Sequence, residues 1–246
     1  MNNAFLNKIT EEIRKIPQKV TLVAVTKSVD IDETNEVIRA GARAIGENRV
    51  EYFEKKFPHI LPVEKHFIGQ IQSRKIKRIV ELFDVIQSVG SIKHLQKIEN
   101  EASVQGKSLQ IFLQFNISGE GRKSGFRPDE FGRITIANDS LSVNSHAAPA
   151  RSFMRRRELT DKERAIATVR HVKIIGVMGM ATDTKDAEVV RKQFRLLKTI
   201  RDRLHTGFPE ITELSMGMSH DYKIALEEGA TMVRIGRALF DDTMAV

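Results

Sequence analysis

Eight short apolar segments, most followed by an amphipathic helical stretch, predict an α/β protein: a single (β/α)8 TIM barrel with an N-terminal helix. Three observations carry that reading. The segments are near-continuous apolar runs, as parallel strands covered on both faces require. Glycines, prolines and small polar residues punctuate them at the turns. The 246 residues suit one barrel of ordinary size. An open doubly wound sheet is the competitor, because the second and seventh strands are short.

Residues 2–16 set Phe5, Leu6, Ile9, Ile13 and Ile16 on a helical stripe with Glu11 and Glu12 on the polar side, and Pro17 stops it. The first strand, residues 20–27, reads Val-Thr-Leu-Val-Ala-Val-Thr-Lys. Asp30 or Asp32 caps a helix through Val37, Ile38 and Ala40, which Gly41 ends. Residues 42–45 form the second strand and exit through Gly46-Glu47-Asn48. A helix through Val50, Tyr52, Phe53 and Phe57 closes before Pro58. The third strand is residues 66–68. The helix after it, residues 73–82, buries Ile76, Ile79, Val80 and Leu82 and wets Arg74, Lys75, Lys77 and Arg78. Without interleaved aromatics, that basic side reads as a solvated face rather than a nucleic-acid stripe. Strand four is residues 85–88, and helix 92–104 spaces Leu95, Ile98 and Ala102 for packing.

Residues 109–116 make the clearest strand after the first, opening into a glycine-rich polar loop, residues 117–126. Pro128 starts a helix with acidic residues in its first turn. Residues 137–160 lose all periodicity; Arg151, Arg155, Arg156 and Arg157 cluster there, and the stretch reads as an insertion. Periodicity resumes with a helix at 161–170, strand six at 172–178, and a helix at 187–204 packing Val189, Val190, Phe194, Leu197 and Ile200. Strand seven is residues 211–214, helix seven residues 220–228, and strand eight residues 231–235, before a short helix through Leu239 and Phe240.

Composition narrows the chemistry. No cysteine is present, which excludes disulfides, thiolate nucleophiles and cysteine metal sites. No segment approaches the roughly 20 apolar residues of a membrane span, and the first ten residues are too polar for a signal peptide. A soluble cytoplasmic protein is expected. The net charge of +8 favours anionic ligands. Nucleic-acid binding through residues 151–157 is the third-ranked reading.

Lys27 ends the first strand where α/β folds place their chemistry. Closure of a barrel makes the first and eighth strands neighbours, so Lys27 and Arg234 approach each other. Ser215-Met216-Gly217-Met218-Ser219 offers hydroxyls and amides after strand seven. With Gly236 and Arg237 after strand eight, it makes a phosphate grip. A lysine facing such a grip suits a phosphorylated aldehyde held as an imine. Pyridoxal 5'-phosphate fits, with Arg234 toward its ring nitrogen; a phosphosugar Schiff-base enzyme fits the same layout.

Seven ordered motifs resolve that choice: Ala24-Val25-Thr26-Lys27, Gly46-Glu47-Asn48, His66-Phe67-Ile68-Gly69, Ser124-Gly125-Phe126, Gly176-Val177-Met178-Gly179-Met180, Ser215-Met216-Gly217-Met218-Ser219 and Val233-Arg234-Ile235-Gly236. Together they resemble the YggS/PROSC family of pyridoxal-phosphate homeostasis proteins, related in fold to the N-terminal barrel of alanine racemase. The resemblance implies one cofactor-binding barrel domain over residues 1–246. It implies a cofactor imine at Lys27, phosphate contacts from Ser215, Met218 or Ser219 and Gly236, and Arg234 near the pyridine nitrogen. Asn48, His66 and Asn116 are its pocket-side residues. It implies a cytoplasmic carrier, a monomer, that stores pyridoxal phosphate and passes it to PLP-dependent apoenzymes; weak racemase or transaminase activity is the alternative. Because the sequence ends just after strand eight, the β domain that supplies a racemase's second base is not expected. Three positions depart from the family pattern: Lys65 stands where an aromatic is usual, Arg237 where a small residue is, and the stretch after Phe131 lacks a compact helical connection.

Overall fold

The computed structural model describes residues 1–27, 29–121, 123–131 and 160–241. Its eight strands are β1 (Thr21–Val25), β2 (Ala44–Glu47), β3 (Glu64–Phe67), β4 (Val85–Val89), β5 (Leu109–Phe115), β6 (Val172–Gly179), β7 (Glu213–Ser215) and β8 (Met232–Ile235). They pair in parallel in sequence order and close into a barrel, with Thr21 to Ala24 of β1 in register with Met232 to Ile235 of β8. That closure excludes the open doubly wound sheet. The helices are α1 (Asn3–Arg14), α2 (Ile31–Arg39), α3 (Val50–Lys56), α4 (Ile76–Leu82), α5 (Ile92–Val104), α6 (Asp161–Ala167), α7 (Ala187–Gly207), α8 (Tyr222–Glu227) and α9 (Arg237–Phe240).

Local chemistry starts most of the longer helices. Asp30 and Glu33 form a capping box on α2, Thr160 and Glu163 another on α6, and Asp186 accepts from the amides of Glu188 and Val189 on α7. Asn2 caps α1, whose Phe5, Leu6 and Ile9 are buried. Phe5 meets Tyr222 edge-on, the Tyr222 hydroxyl donates to Glu12 Oε2 at 2.8 Å, and the Asn2 amide donates to Leu239 O at 2.7 Å. The N-terminal helix is thereby sewn to the two helices that follow β7 and β8.

Val23, Ala44, Val85, Phe112, Met178 and Met232 fill the barrel interior, one side chain from each of six strands. The larger core lies between strands and helices, with Phe53 stacked on Phe83 and a Phe115, Phe126 and Phe131 triad under the 117–126 loop.

Several boundaries move. Strand seven is residues 213–215 rather than 211–214, and Gly176 permits its close pairing with β6: a Cβ at Gly176 would lie 2.3 Å from Glu213 O. Val189 is exposed; Val190, Phe194, Leu197, Ile200 and Leu204 take the buried positions of α7. Pro128 begins a single 3-10 turn ending at Phe131, and Ser73–Lys75 is likewise 3-10 before α4. The wet face of α4 is as expected: Lys75 pairs with Glu51, and Arg78 with Glu54 and Glu81. Arg151, Arg155, Arg156 and Arg157 lie outside the described residues. Among those described, no helix is long and apolar enough to cross a membrane.

Gly176→Ala is expected to destabilise the barrel by roughly 1–3 kcal/mol through forced separation of β6 and β7. A lowered urea midpoint measures it, and an unchanged midpoint contradicts the packing described.

Candidate functional site

Strand alternation decides which residues meet at the barrel mouth. Val23 points inward, and Val25 follows it, since its side chain would touch a Cβ at Gly46 and at Gly236. Lys27 follows in the turn beyond the strand end and is exposed, while Thr26 is buried. The Thr26 hydroxyl donates to Glu47 Oε1 at 2.7 Å. Lys56 of α3 reaches in to donate to Thr26 O at 2.8 Å and to Glu47 Oε1 at 3.2 Å. Glu47 Oε2 is buried without a hydrogen-bond partner. The residue before Lys27 is therefore clamped from outside the barrel.

Arg234 is in register with Val23, the middle residue of β1, so it lies within the barrel whereas Lys27 lies past the strand end. It is 4% exposed and, among the described residues, pairs with no carboxylate. Burial pulls its guanidinium down to about 10, with the charge of Asp221 opposing. Nη1 donates to Ser215 Oγ at 2.6 Å and Nη2 to Gly179 O at 3.1 Å. The Ser215 hydroxyl donates to Gln87 Oε1 at 2.7 Å, and Gln87 Nε2 meets His66 Nδ1 at 2.7 Å. His66 Nε2 bonds Glu64 Oε2 at 2.9 Å. A polar row thus runs from β8 through β7 and β4 to β3.

The opposite wall comes from the turns after β7 and β8. Gly217 holds φ +94°, and a Cβ there would come within 2.6 Å of Ala225 Cβ, so only glycine lets the turn fold against α8. The Met218 amide donates to Asp221 Oδ1 at 2.6 Å. Burial pushes the Asp221 carboxyl up, against the Met218 amide and Arg234. Ser219 is half-buried, and Arg237 is exposed. Met218, Asp221 and Arg237 line an open groove of about 940 Å³ with Lys123, Met180 and Thr182. Lys123 Nζ crosses toward it, donating to Ala181 O at 3.0 Å and pairing with Glu120 at 2.7 Å.

The expected site residues separate into three groups. Lys27, Asn48, Met218, Ser219 and Gly236 follow the C-terminal ends of β1, β2, β7 and β8, with Asn48 lining a groove beside Tyr52 and Gln70 and Met218 the groove beside Asp221. Arg234, Ser215 and His66 form the buried row, with Ser215 and His66 engaged by protein neighbours. Asn116 organises its own loop: Nδ2 donates to Glu120 O and Lys123 O, and Oδ1 accepts from Ser118 and Gly119. Gln87, Glu47 and Asp221 were assigned no role by sequence. Gln87 had a visible sign, a polar residue at inward parity with Val85 in an apolar strand. Lys65, where an aromatic was expected, is harmless to the interior because it faces outward and pairs with Asp84 at 2.6 Å.

The row reaches solvent at Glu64, whose hydrogen bond to His66 holds its carboxyl below the ordinary 4.5. A depressed carboxylate stabilises the fold fully above its unfolded value, and that contribution vanishes as pH falls through the folded value. Glu64→Gln is therefore expected to flatten the acid limb of a stability-versus-pH curve below 4.5 and to leave its slope above pH 6 unchanged. Chemical denaturation across that range measures the difference.

Comparison with known proteins extends along nearly the whole chain. Residues 4–243 match the family described as alanine racemase, N-terminal domain. A pyridoxal phosphate homeostasis protein of Vibrio alginolyticus is 32% identical over 249 residues, covering 96% of this chain and 94% of its own. That of Escherichia coli K12 is 31% identical, covering 91% and 86%. Among solved structures, PipY of Synechococcus elongatus with PLP bound superposes with a TM-score of 0.74 at 26% identity, covering 96% of this chain and 99% of that one. An alanine racemase of Clostridium difficile shares the fold at 15% identity and TM-score 0.68, with this chain spanning 55% of it. The exposed lysine after β1, the buried arginine of β8 and the glycine turn after β7 thus sit in a chain that belongs to the YggS/PROSC family of pyridoxal phosphate homeostasis proteins.

Proposed function

We propose that this protein carries pyridoxal 5'-phosphate as an imine on Lys27 and releases it reversibly, as a store that keeps the free aldehyde low rather than as an enzyme of amino-acid turnover. The observation that carries this is an exposed Lys27 just past the end of β1, beside a strand whose buried Arg234 pairs with no carboxylate among the described residues. The residues fit the group. A guanidinium buried without a carboxylate has N–H groups to offer a ring nitrogen. Gly236, where a Cβ would crowd Val25 at 3.2 Å, leaves room beside the mouth, and Arg237 adds positive charge for a phosphate. When bound, the cofactor supplies an aldehyde that condenses with the Lys27 amine, releasing water.

The protein's own groups do the rest. Thr26, Glu47 and Lys56 hold the backbone from which Lys27 projects. Met218, Ser219 and Gly236 frame the phosphate side, with Asn48 across the mouth. Ser215 and His66, engaged by protein neighbours, support Arg234 instead of touching phosphate. The names of the relatives, homeostasis proteins throughout, support storage over catalysis. Cytoplasmic residence, a monomeric state and PLP-dependent apoenzymes as recipients complete the proposal.

Purified protein mixed with pyridoxal phosphate is expected to absorb in the visible, and borohydride followed by peptide mass analysis to place the pyridoxyl adduct on Lys27. Lys27→Ala should lose both; an adduct on another lysine refutes the assignment. Charge-assisted hydrogen bonds contribute about 1.5–3 kcal/mol, so Arg234→Gln is expected to weaken cofactor binding about 10- to 100-fold. Amino acids screened in deuterated water for α-proton exchange should show none at ordinary enzymatic rates, and such turnover would defeat the storage reading.

A further inference from the structure

Gln87 is fully buried in the barrel interior, and both ends of its amide are engaged. Three neighbours determine which end is which. Oε1 accepts from the Ser215 hydroxyl at 2.7 Å. Nε2 lies 3.0 Å from the Met232 sulfur, a thioether that can only accept. Nε2 also faces His66 Nδ1 at 2.7 Å, so Nδ1 is the lone-pair nitrogen of a neutral imidazole. His66 Nε2 then carries the proton and donates it to Glu64 at 2.9 Å. At the other end, Ser215 has committed its proton to Gln87 and presents oxygen lone pairs to Arg234 Nη1 at 2.6 Å.

Every donor in the row points the same way, from Arg234 toward Glu64. Reversing any one member would set donor against donor or acceptor against acceptor in a buried site. We infer that Gln87 is a positioning residue for Arg234: by taking the Ser215 proton it fixes where the hydroxyl's lone pairs point, and so decides which guanidinium N–H groups stay in the barrel floor and which remain to meet the cofactor ring. This rests on the function proposed above. No Gln87 atom touches the mouth, so its influence passes entirely through Ser215 and Arg234.

Three variants and two readouts test it. Gln87→Met keeps length and removes both amide ends, Gln87→Glu keeps the acceptor for Ser215 and removes the donor to His66, and Ser215→Ala breaks the row beside Arg234. In cofactor-free protein, nitrogen NMR of the imidazole should find His66 protonated on Nε2 alone, and Gln87→Glu should draw a proton onto Nδ1. With pyridoxal phosphate, Gln87→Met and Ser215→Ala should each weaken binding about tenfold, their double variant no further, and Gln87→Glu should stay within about twofold of wild type. If Gln87→Met does not fold, Ser215→Ala against Gln87→Glu makes the same comparison. Wild-type affinity in both Gln87→Met and Ser215→Ala overturns the inference, as do equal losses in Gln87→Met and Gln87→Glu or multiplying losses in the double variant. A His66 proton on Nδ1 in the wild type overturns the donor direction. These failures leave a Lys27 adduct in the wild type untouched, whereas a wild type without that adduct overturns the proposed function and this inference together.

Discussion

A guanidinium inside a closed barrel is the constraint on which the rest depends. Moving such a cation out of water costs several kcal/mol unless its hydrogen bonds are replaced, and Arg234 has no carboxylate within ion-pair range among the described residues. Neutral acceptors replace the lost water instead: the Gly179 carbonyl and the Ser215 hydroxyl. Ser215 accepts from Arg234 while donating its own proton to Gln87, and Gln87 in turn donates its amide hydrogens to His66 and Met232. Five strands therefore contribute to solvating one cation, and none of the polar side chains would be tolerable there alone. The apolar plug of Val23, Ala44, Val85, Phe112, Met178 and Met232 keeps that interior dry, which strengthens each bond in the row.

The rim is governed from the other face of the sheet. Because Lys27 follows Thr26 directly in the chain, anything that grips Thr26 also sets where the lysine emerges. Glu47 and Lys56 do this, tying β1 to β2 and α3. On the far side, α1 and its cap hold Tyr222 and the Leu239 carbonyl, in the helices that follow the turns after β7 and β8. The mouth is thus braced from behind at both walls, leaving its inward side chains available to a ligand.

Much of the fold was legible because barrel strands are buried on both faces and read as apolar runs, while caps such as Asp30 with Glu33 and Thr160 with Glu163 sit within four residues of the helices they start. Misjudged boundaries fall where the deciding contact is remote. Strand seven begins at Glu213, in register with Gly176, thirty-seven positions earlier in the chain. Val189 and Val190 are equally apolar neighbours, and only the direction of the barrel picks the second for burial.

The site divides along the same line. Sequence alone placed a lysine just past β1, the glycine-bearing turn after β7 and the arginine of β8, since each is a local pattern tied to a strand end, and the motif resemblance named the cofactor they suit. Tertiary structure decided how deep Arg234 lies, that Ser215, Gln87 and His66 are hydrogen-bonded in one row reaching it, and that Asn116 bonds its own loop. The reason is physical. A hydrogen-bond row across a barrel joins residues up to 145 positions apart through the directions of individual N–H and O–H groups, and those directions exist only once the sheet has closed.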